Sequence, residues 1–196
     1  MRIRLAMVLG LLLTGVIVAA PFGYRSVESV RYRNFRVVKE GELYRSGQMT
    51  TSGLARVTRE FHIGTVISFR DRKDETGVND DLSESELCAQ NGIAFHRIAP
   101  ADWSPVNGVI PGDETVKEFL RILDDPKTRK PVLVHCFAGI HRTGAHCAVY
   151  RMEYDGWSAD DAITEMLSMG TPRTTFAPNL LEYLSKYQRN QLREGK

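Results

Sequence analysis

Cysteine is scarce in this chain. Three occur in 196 residues, an odd number that excludes a disulfide-stapled scaffold. A surplus of one charge is missing too: Lys and Arg number 26 against 24 Asp and Glu, a formal +2, and no basic stripe runs along the sequence. That excludes nucleic acid as the first choice of partner. Eight prolines and 16 glycines are too few for a collagen-like or low-complexity chain. The length suits one globular domain with its own core and leaves no room for a tandem array.

What is present is unevenly placed. Arg2 and Arg4 account for the whole charge excess, so the body that follows is formally neutral. They precede an uncharged apolar run at 5–20, LAMVLGLLLTGVIVAA. A basic start, an apolar stretch and small residues make the layout of a secretory signal. Pro21, directly after Ala20, fits a peptidase groove badly because it lacks an N–H, which favours an uncleaved anchor. As a helix the run covers about 24 Å of a bilayer core of about 30 Å, so extension to residue 23 is needed. Residues 1–23 are therefore expected to be a membrane anchor or signal segment, with membrane contact through 5–23 and the body on the exterior side. Residues 24–40, basic and aromatic, have the composition of a juxtamembrane connector, and 41–192 of the folded domain.

Within the domain, apolar periodicity alternates between two kinds. Short runs at 42–45, 64–69 (GTVISF), 93–98 (IAFHRI) and 131–135 (PVLVH) predict strands. Helical spacing separates them at 50–62, 82–90, 114–123, 143–154 and 179–193. Ser158 with Asp161 predicts a capped start for a further helix carrying Ala162, Ile163, Met166 and Leu167. Strands alternating with helices imply an α/β layered domain, with a central mostly parallel sheet flanked by helices. In such sheets the site lies beyond the carboxyl ends of the strands.

One strand end carries chemistry. PVLVH runs into His135, Cys136, Phe137, Ala138, Gly139, Ile140, His141, Arg142, Thr143 and Gly144, and a helix follows. A loop wrapped over a helix N-terminus points backbone N–H groups inward and makes a phosphate trap, which the helix dipole reinforces. Helix N-termini and arginines favour the thiolate, the nucleophilic form, so Cys136 is the candidate nucleophile. Arg142 can lay its planar fork on two phosphoryl oxygens. The Thr143 hydroxyl can donate to the sulfur as it departs. Residues Phe137 to Arg142 form the candidate phosphate-binding loop, in which Gly139 supplies an unusual backbone angle.

The run HCFAGIHRTG resembles the HCxxGxxR[ST]G signature of cysteine-dependent protein tyrosine and dual-specificity phosphatases, matching at His135, Cys136, Gly139, Arg142, Thr143 and Gly144. The resemblance extends over the order of elements from about residue 42 to 189, including LYRSGQ and GTVISFRD. It implies a phosphocysteine intermediate, no metal or cofactor, and a phosphatase domain at 41–192. The substrates it implies are phosphotyrosine proteins, and by extension phosphoserine or phosphothreonine proteins. Inositol phosphates or phosphoinositides are the alternative, which the apolar Phe137, Ala138 and Ile140 weaken, as is an inactive phosphate-binding module tethered to the membrane.

The family also implies an aspartic acid on an upstream loop that protonates the leaving oxygen. Asp102, in PADWSP and 34 residues before Cys136, is the favoured candidate. Asp113 is the alternative, with helix capping as its plainer role. His135 is expected to orient the loop, and His141 to touch substrate or face solvent. The cluster His135, Cys136, His141, His146 and Cys147 lacks the paired spacing of a zinc site. Cys88 and Cys147 are expected to be core residues. A reversible Cys88–Cys136 disulfide is a further option, and Arg70, Asp71 and Arg72 read as a surface ion-pair cluster or a recruiter of anions.

Overall fold

The computed structural model describes residues 32–71, 80–169 and 178–193. Five strands form one sheet: β1 Arg36–Lys39, β2 Leu43–Ser46, β3 Thr65–Ser68, β4 Ala94–Arg97 and β5 Val132–His135. Their order is β1-β2-β5-β3-β4, antiparallel between β1 and β2 and parallel elsewhere. The helices are α1 Thr51–Glu60, α2 Asp80–Gln90, α3 Gly112–Asp124, α4 His141–Tyr150, α5 Ala159–Ser168 and α6 Pro178–Lys186, and a π-helical turn Arg151–Asp155 prolongs α4.

Side chains alternate across the pleat. On β5, Val132 and Val134 face one apolar cluster and Leu133 the other. Ile67 and Val66 on β3, and Leu43 and Tyr44 on β2, divide in the same way. The first cluster lies under α3, α4, α5 and α6, while the second lies under α1 and α2. Both faces are covered, which is why every residue of the central strands β2, β3 and β5 is buried. Helix starts follow local chemistry. Thr50 accepts from the Gly53 amide at α1, and Ser158 from the Asp161 amide at α5, as its sequence signal predicts.

The expected layered α/β domain with a mostly parallel sheet is the observed one. The connector at 24–40 needs revision over its described part. Arg36–Lys39 is an edge strand, and Phe35 stacks on Tyr44 at 5.9 Å and tilts against Phe61 at 4.8 Å. The predicted 179–193 helix ends at Lys186. The membrane-anchored localisation is corrected. Among the described residues no helix is long and apolar enough to cross a membrane. The longest regular α-helix, α3, has 13 residues and a charged face, about 20 Å against a core of about 30 Å. The 5–23 segment, on which the expectation rested, lies outside the described residues.

The sheet register fixes the place of the site. Ser46, His135 and Ser68 are level across β2, β5 and β3, so the chain leaves all three strands at one edge. The chain passes from β2 to β3 and returns to insert β5 between them, a switch of strand order that leaves a crevice at the carboxyl ends.

Candidate active site

Cys136 is the first residue past β5 and is 4% exposed. The loop 137–140 curls over its sulfur, and the Gly139 amide donates to Sγ across 3.3 Å. Three consecutive carbonyls of this loop are held from outside. Phe137 O accepts from the Gln48 amide at 2.9 Å, Ala138 O from Asn34 Nδ2 at 2.8 Å, and Gly139 O from Arg45 Nη2 at 2.7 Å. In a trans peptide the N–H points opposite to the C=O, so these anchors turn the amides of Ala138, Gly139 and Ile140 toward the sulfur side. The result is a concave set of donors at the N-terminus of α4, suited to a phosphoryl group.

The loop's shape depends on two glycines. Gly139 has φ +72°, and a Cβ there would lie 2.4 Å from Gly47 N and 2.5 Å from Ser46 O. At Gly47 a Cβ would meet Ala138 O at 2.8 Å. The segment Arg45-Ser46-Gly47-Gln48 is thus the back wall of the loop. It lies within LYRSGQ, the run that had joined the resemblance without a role for any of its residues. Arg45 is 1% exposed, with its charged group given to the loop carbonyl. No local pattern in the sequence marks that role, because it comes from β2 pairing with β5.

Arg142 is the second residue of α4 and is exposed, with Nη1 3.4 Å from Phe69 O at the end of β3. Thr143 is fully buried, and Oγ1 has no hydrogen-bond partner among the described residues. His141 is exposed, and partial desolvation followed by the charge of Arg142 lowers its pKa. His135 is buried behind the nucleophile. Its Nε2 lies 3.2 Å from Glu84 Oε1, within ion-pair range but out of hydrogen-bond alignment. Glu84 was absent from the sequence reading, since nothing in α2 marks it apart from other helix carboxylates.

Asp102 lies in the loop after β4 and is exposed. Its Oδ1 accepts from the Ser104 amide at 2.9 Å and from Asn179 Nδ2 at 3.1 Å. Trp103 fixes this loop: its ring packs on Tyr183 at 4.8 Å and edge-on to His146 at 6.0 Å. His146 in turn bonds Arg142 O through Nδ1 at 2.8 Å, so the Asp102 loop reaches the start of α4. Asp113 is differently occupied. It does not cap α3, whose N-cap is Pro111, and instead accepts from Tyr183 Oη at 2.9 Å.

The other cysteines are core residues. Burial pushes the Cys88 thiol up to about 12 and the Cys147 thiol up to about 11. All three cysteines are free, and Cys88 belongs to the α1–α2 cluster while Cys136 belongs to the opposite one. Arg70 is no surface residue. It is 1% exposed at the end of β3, with its guanidinium 5.7 Å from the Phe137 ring, while Asp71 is exposed and Arg72 lies outside the described residues. Among the described residues no group of three or more His, Cys, Asp or Glu could hold a metal ion.

A cysteine set in a cradle of amides, with an arginine at the next helix start, defines a phosphatase of the dual-specificity class. The family model for the DSP-PTPase phosphatase fused to NAD+ kinase matches residues 24–176, and the chain belongs to that family. The dual specificity protein phosphatase TpbA of Pseudomonas aeruginosa is 41% identical over 54 residues, a stretch spanning 28% of this chain and 25% of TpbA. The crystal structure of P. aeruginosa TpbA superposes with a TM-score of 0.61 at 25% identity, covering 82% of this chain and 88% of that one. The core catalytic domain of the PP-IP phosphatase SIW14 from S. cerevisiae, in complex with citrate, gives 0.62 at 19% identity over 81% and 88%. PTPMT1 in complex with PI(5)P gives 0.58 at 16% identity over 77% and 92%. The last two likenesses concern the fold alone.

Proposed function

We propose that this protein hydrolyses phosphate monoesters through a phosphocysteine on Cys136. The thiolate attacks phosphorus in line, a P–S bond forms and the P–O bond to the leaving group breaks. Asp102 gives its proton to the departing oxygen. The amides of 138–140 and the Arg142 guanidinium hold the three phosphoryl oxygens as charge redistributes among them. Water then attacks the phosphocysteine, giving inorganic phosphate and the free thiolate, with Asp102 taking the proton back from the water. Thr143 Oγ1, buried and with no partner among the described residues, is suited to donate to the sulfur as it leaves.

The observation that carries this reading is the outward anchoring of three successive loop carbonyls around Cys136. A purely structural loop has no need of a cradle with a cysteine at its base. Intact Cys136, Arg142 and Thr143 also speak against an inactive binding module. Phosphotyrosine proteins are one substrate class, supported by a TpbA structure in complex with pTyr, a relative of 22% identity in that alignment. Phosphorylated cyclitols and their lipids are the second, supported by the fold shared with the PP-IP phosphatase SIW14 and with PTPMT1 in complex with PI(5)P.

The test is hydrolysis of p-nitrophenyl phosphate by the full chain with EDTA present. Turnover that persists in EDTA and disappears in Cys136→Ser is expected. Retained turnover in that variant would remove Cys136 as nucleophile.

A further inference from the structure

Arg33 stands beside the phosphate loop with a charge that the proposed chemistry does not use. Its backbone is tied down on both sides. Arg33 O accepts from the Gly47 amide at 2.7 Å, and Nδ2 of the next residue, Asn34, donates to Ala138 O at 2.8 Å. The half-buried guanidinium covers the ring of Phe137, the residue after Cys136, at 4.2 Å. Among the described residues no carboxylate forms an ion pair with it. A partly exposed cation–π contact offsets only part of the side-chain entropy lost when an arginine is ordered. A planar guanidinium resting on a ring keeps its N–H groups in its own plane, so the face is used and the edge stays open to an acceptor.

Arg33 and Phe137 border a cavity of about 300 Å³ that extends to the turn into α1. Thr50 and Thr51, both exposed, also line it, and α1 starts there with no acidic residue in its first turn. Met49 and Leu54 supply apolar wall. Glu84 is the only carboxylate among the lining residues, but it is 4% exposed, and its Oε1 lies 3.2 Å from His135, so its charge is turned to the interior. Positive charge therefore dominates the rim. Arg33 lies on one side of the loop and Arg142 at the start of α4, while the buried Arg70 guanidinium lies 5.7 Å from the Phe137 ring.

A ligand that complements this rim brings a negative charge of its own. One guanidinium matches one carboxylate through two parallel N–H···O bonds. A second phosphoryl group would instead bring nearly two charges to a wall that also holds Glu84. A carboxylate on a short aliphatic stem, laid over Met49 and Leu54, is the side chain of an acidic residue. Phe137 follows Cys136 directly, so the guanidinium is one side chain away from the nucleophile. An extended peptide advances about 3.3–3.6 Å per residue, which places the acid within about three residues of the phosphorylated one. We infer that Arg33 is a specificity-determining residue that pairs with an Asp or Glu flanking the phosphorylated residue of a protein substrate. This rests on the phosphomonoesterase reading of the Cys136 loop and adds selection by neighbouring charge, whichever hydroxyl residue bears the phosphate.

Two phosphotyrosine peptides of equal length test the pairing, one with Glu and one with Gln at every position within three residues of the phosphotyrosine. The full chain is expected to show a kcat/KM at least about tenfold higher on the Glu peptide at low ionic strength. At about 0.5 M salt that preference should fall to less than half. Arg33→Gln is expected to bring the ratio to about two or below, and Arg33→Lys, which keeps the charge without the fork, to retain part of it. Arg33→Glu should bring the ratio below one, an inversion that a merely structural role does not produce. The ratio is internal to each protein, so a smaller folded fraction leaves it unchanged. Equal rates on the two peptides in the wild type, or a preference that persists in Arg33→Glu, overturns the assignment. Faster turnover of a phosphatidylinositol phosphate in phosphatidylcholine vesicles than of the Glu peptide overturns it as well, as does hydrolysis of p-nitrophenyl phosphate with neither peptide cleaved. Failure of the wild type on p-nitrophenyl phosphate would instead overturn the phosphatase reading.

Discussion

Asn179 Nδ2 donates to Asp102 Oδ1 across 3.1 Å, joining the first turn of α6 to the loop that follows β4. Asn179 also donates to Ser104 Oγ at 2.5 Å. Bonds to the carboxylate, from the Ser104 amide first, then the Ser104 side chain, and from Asn179 last, hold the Asp102 carboxyl below its usual range. A general acid must carry its proton at the moment of bond cleavage. Under the proposed mechanism this arrangement suits Asp102 to the base role of the second step, and the first step requires these bonds to loosen.

That relationship predicts the pH dependence. A rate that needs protonated Asp102 falls as pH rises through its pKa, and a lowered pKa places this basic limb at lower pH. Asn179→Ala, by removing one bond to the carboxylate, should move the limb of kcat for phenyl phosphate to higher pH. Asp102→Asn should abolish the limb and lower kcat on phenyl phosphate about 100-fold, with a smaller loss on p-nitrophenyl phosphate, whose leaving group needs less help. Asp113→Asn should leave the limb in place and lower the melting temperature, since Tyr183 loses its acceptor. A limb that vanishes in Asp113→Asn and persists in Asp102→Asn would transfer the acid to Asp113.

The difference between these two aspartates marks how far sequence could go. The strand and helix order was legible because apolar spacing of two or 3.6 is local, and so was the Cys136 loop, whose residues are contiguous. β1 was not, because three of its four residues are exposed and its place comes from pairing with β2. Arg45, Gln48, Asn34 and Glu84 were missed for a related reason. Each lies 51 or more residues from its partner at the site and reaches it only through the parallel sheet or the packing of α2. Asp113 had the local signature of a cap, and the distant Tyr183 gives it another role.

Thiol chemistry should single out Cys136. With Cys88 held up to about 12 and Cys147 to about 11 by burial, neither supplies thiolate at pH 7. Iodoacetamide at pH 7 is expected to modify Cys136 alone, and inorganic phosphate in the loop to slow the reaction. Peptide mass spectrometry reads the position. Faster labelling of Cys88 or Cys147 than of Cys136 would count against Cys136 as the nucleophile.

Two glycines with nearly equal angles should behave differently. Gly41 has φ +68° in the β1–β2 turn, and a Cβ there would meet nothing within 4 Å. Gly139 has φ +72°, and its Cβ would strike Gly47 and Ser46. Gly41→Ala should cost only the left-handed backbone strain, about 1 kcal/mol, with activity kept. Gly139→Ala adds a backbone clash and displaces an amide that donates to the sulfur, so activity should fall about 100-fold or more. Denaturant midpoints and p-nitrophenyl phosphate turnover measured side by side separate the two effects. Equal losses in both variants would mean that the crowding at Gly139 is relieved without disturbing the loop.

His146 links the site to stability. Burial against Phe69, whose ring it stacks on at 3.9 Å, pushes its pKa down to about 4, and bonding to the Arg142 carbonyl only partly opposes this. The unfolded chain binds a proton here near pH 6.5 and the folded chain does not until about pH 4. Between those values the unfolded state therefore carries more protons, and stability rises with pH. The contribution is fully present above pH 6.5 and is lost progressively as pH falls toward 4, amounting to about 3 kcal/mol over the window. His146→Phe keeps an aromatic ring in the stack and removes the titration, so its urea midpoint should fall less steeply than that of the wild type between pH 6.5 and 4. Its activity should decline as well, because Arg142 loses the bond that fixes its carbonyl at the start of α4. Parallel slopes in the two proteins would mean that protonated imidazole is tolerated between Phe69 and Trp103, and that the acid sensitivity of this fold has another source.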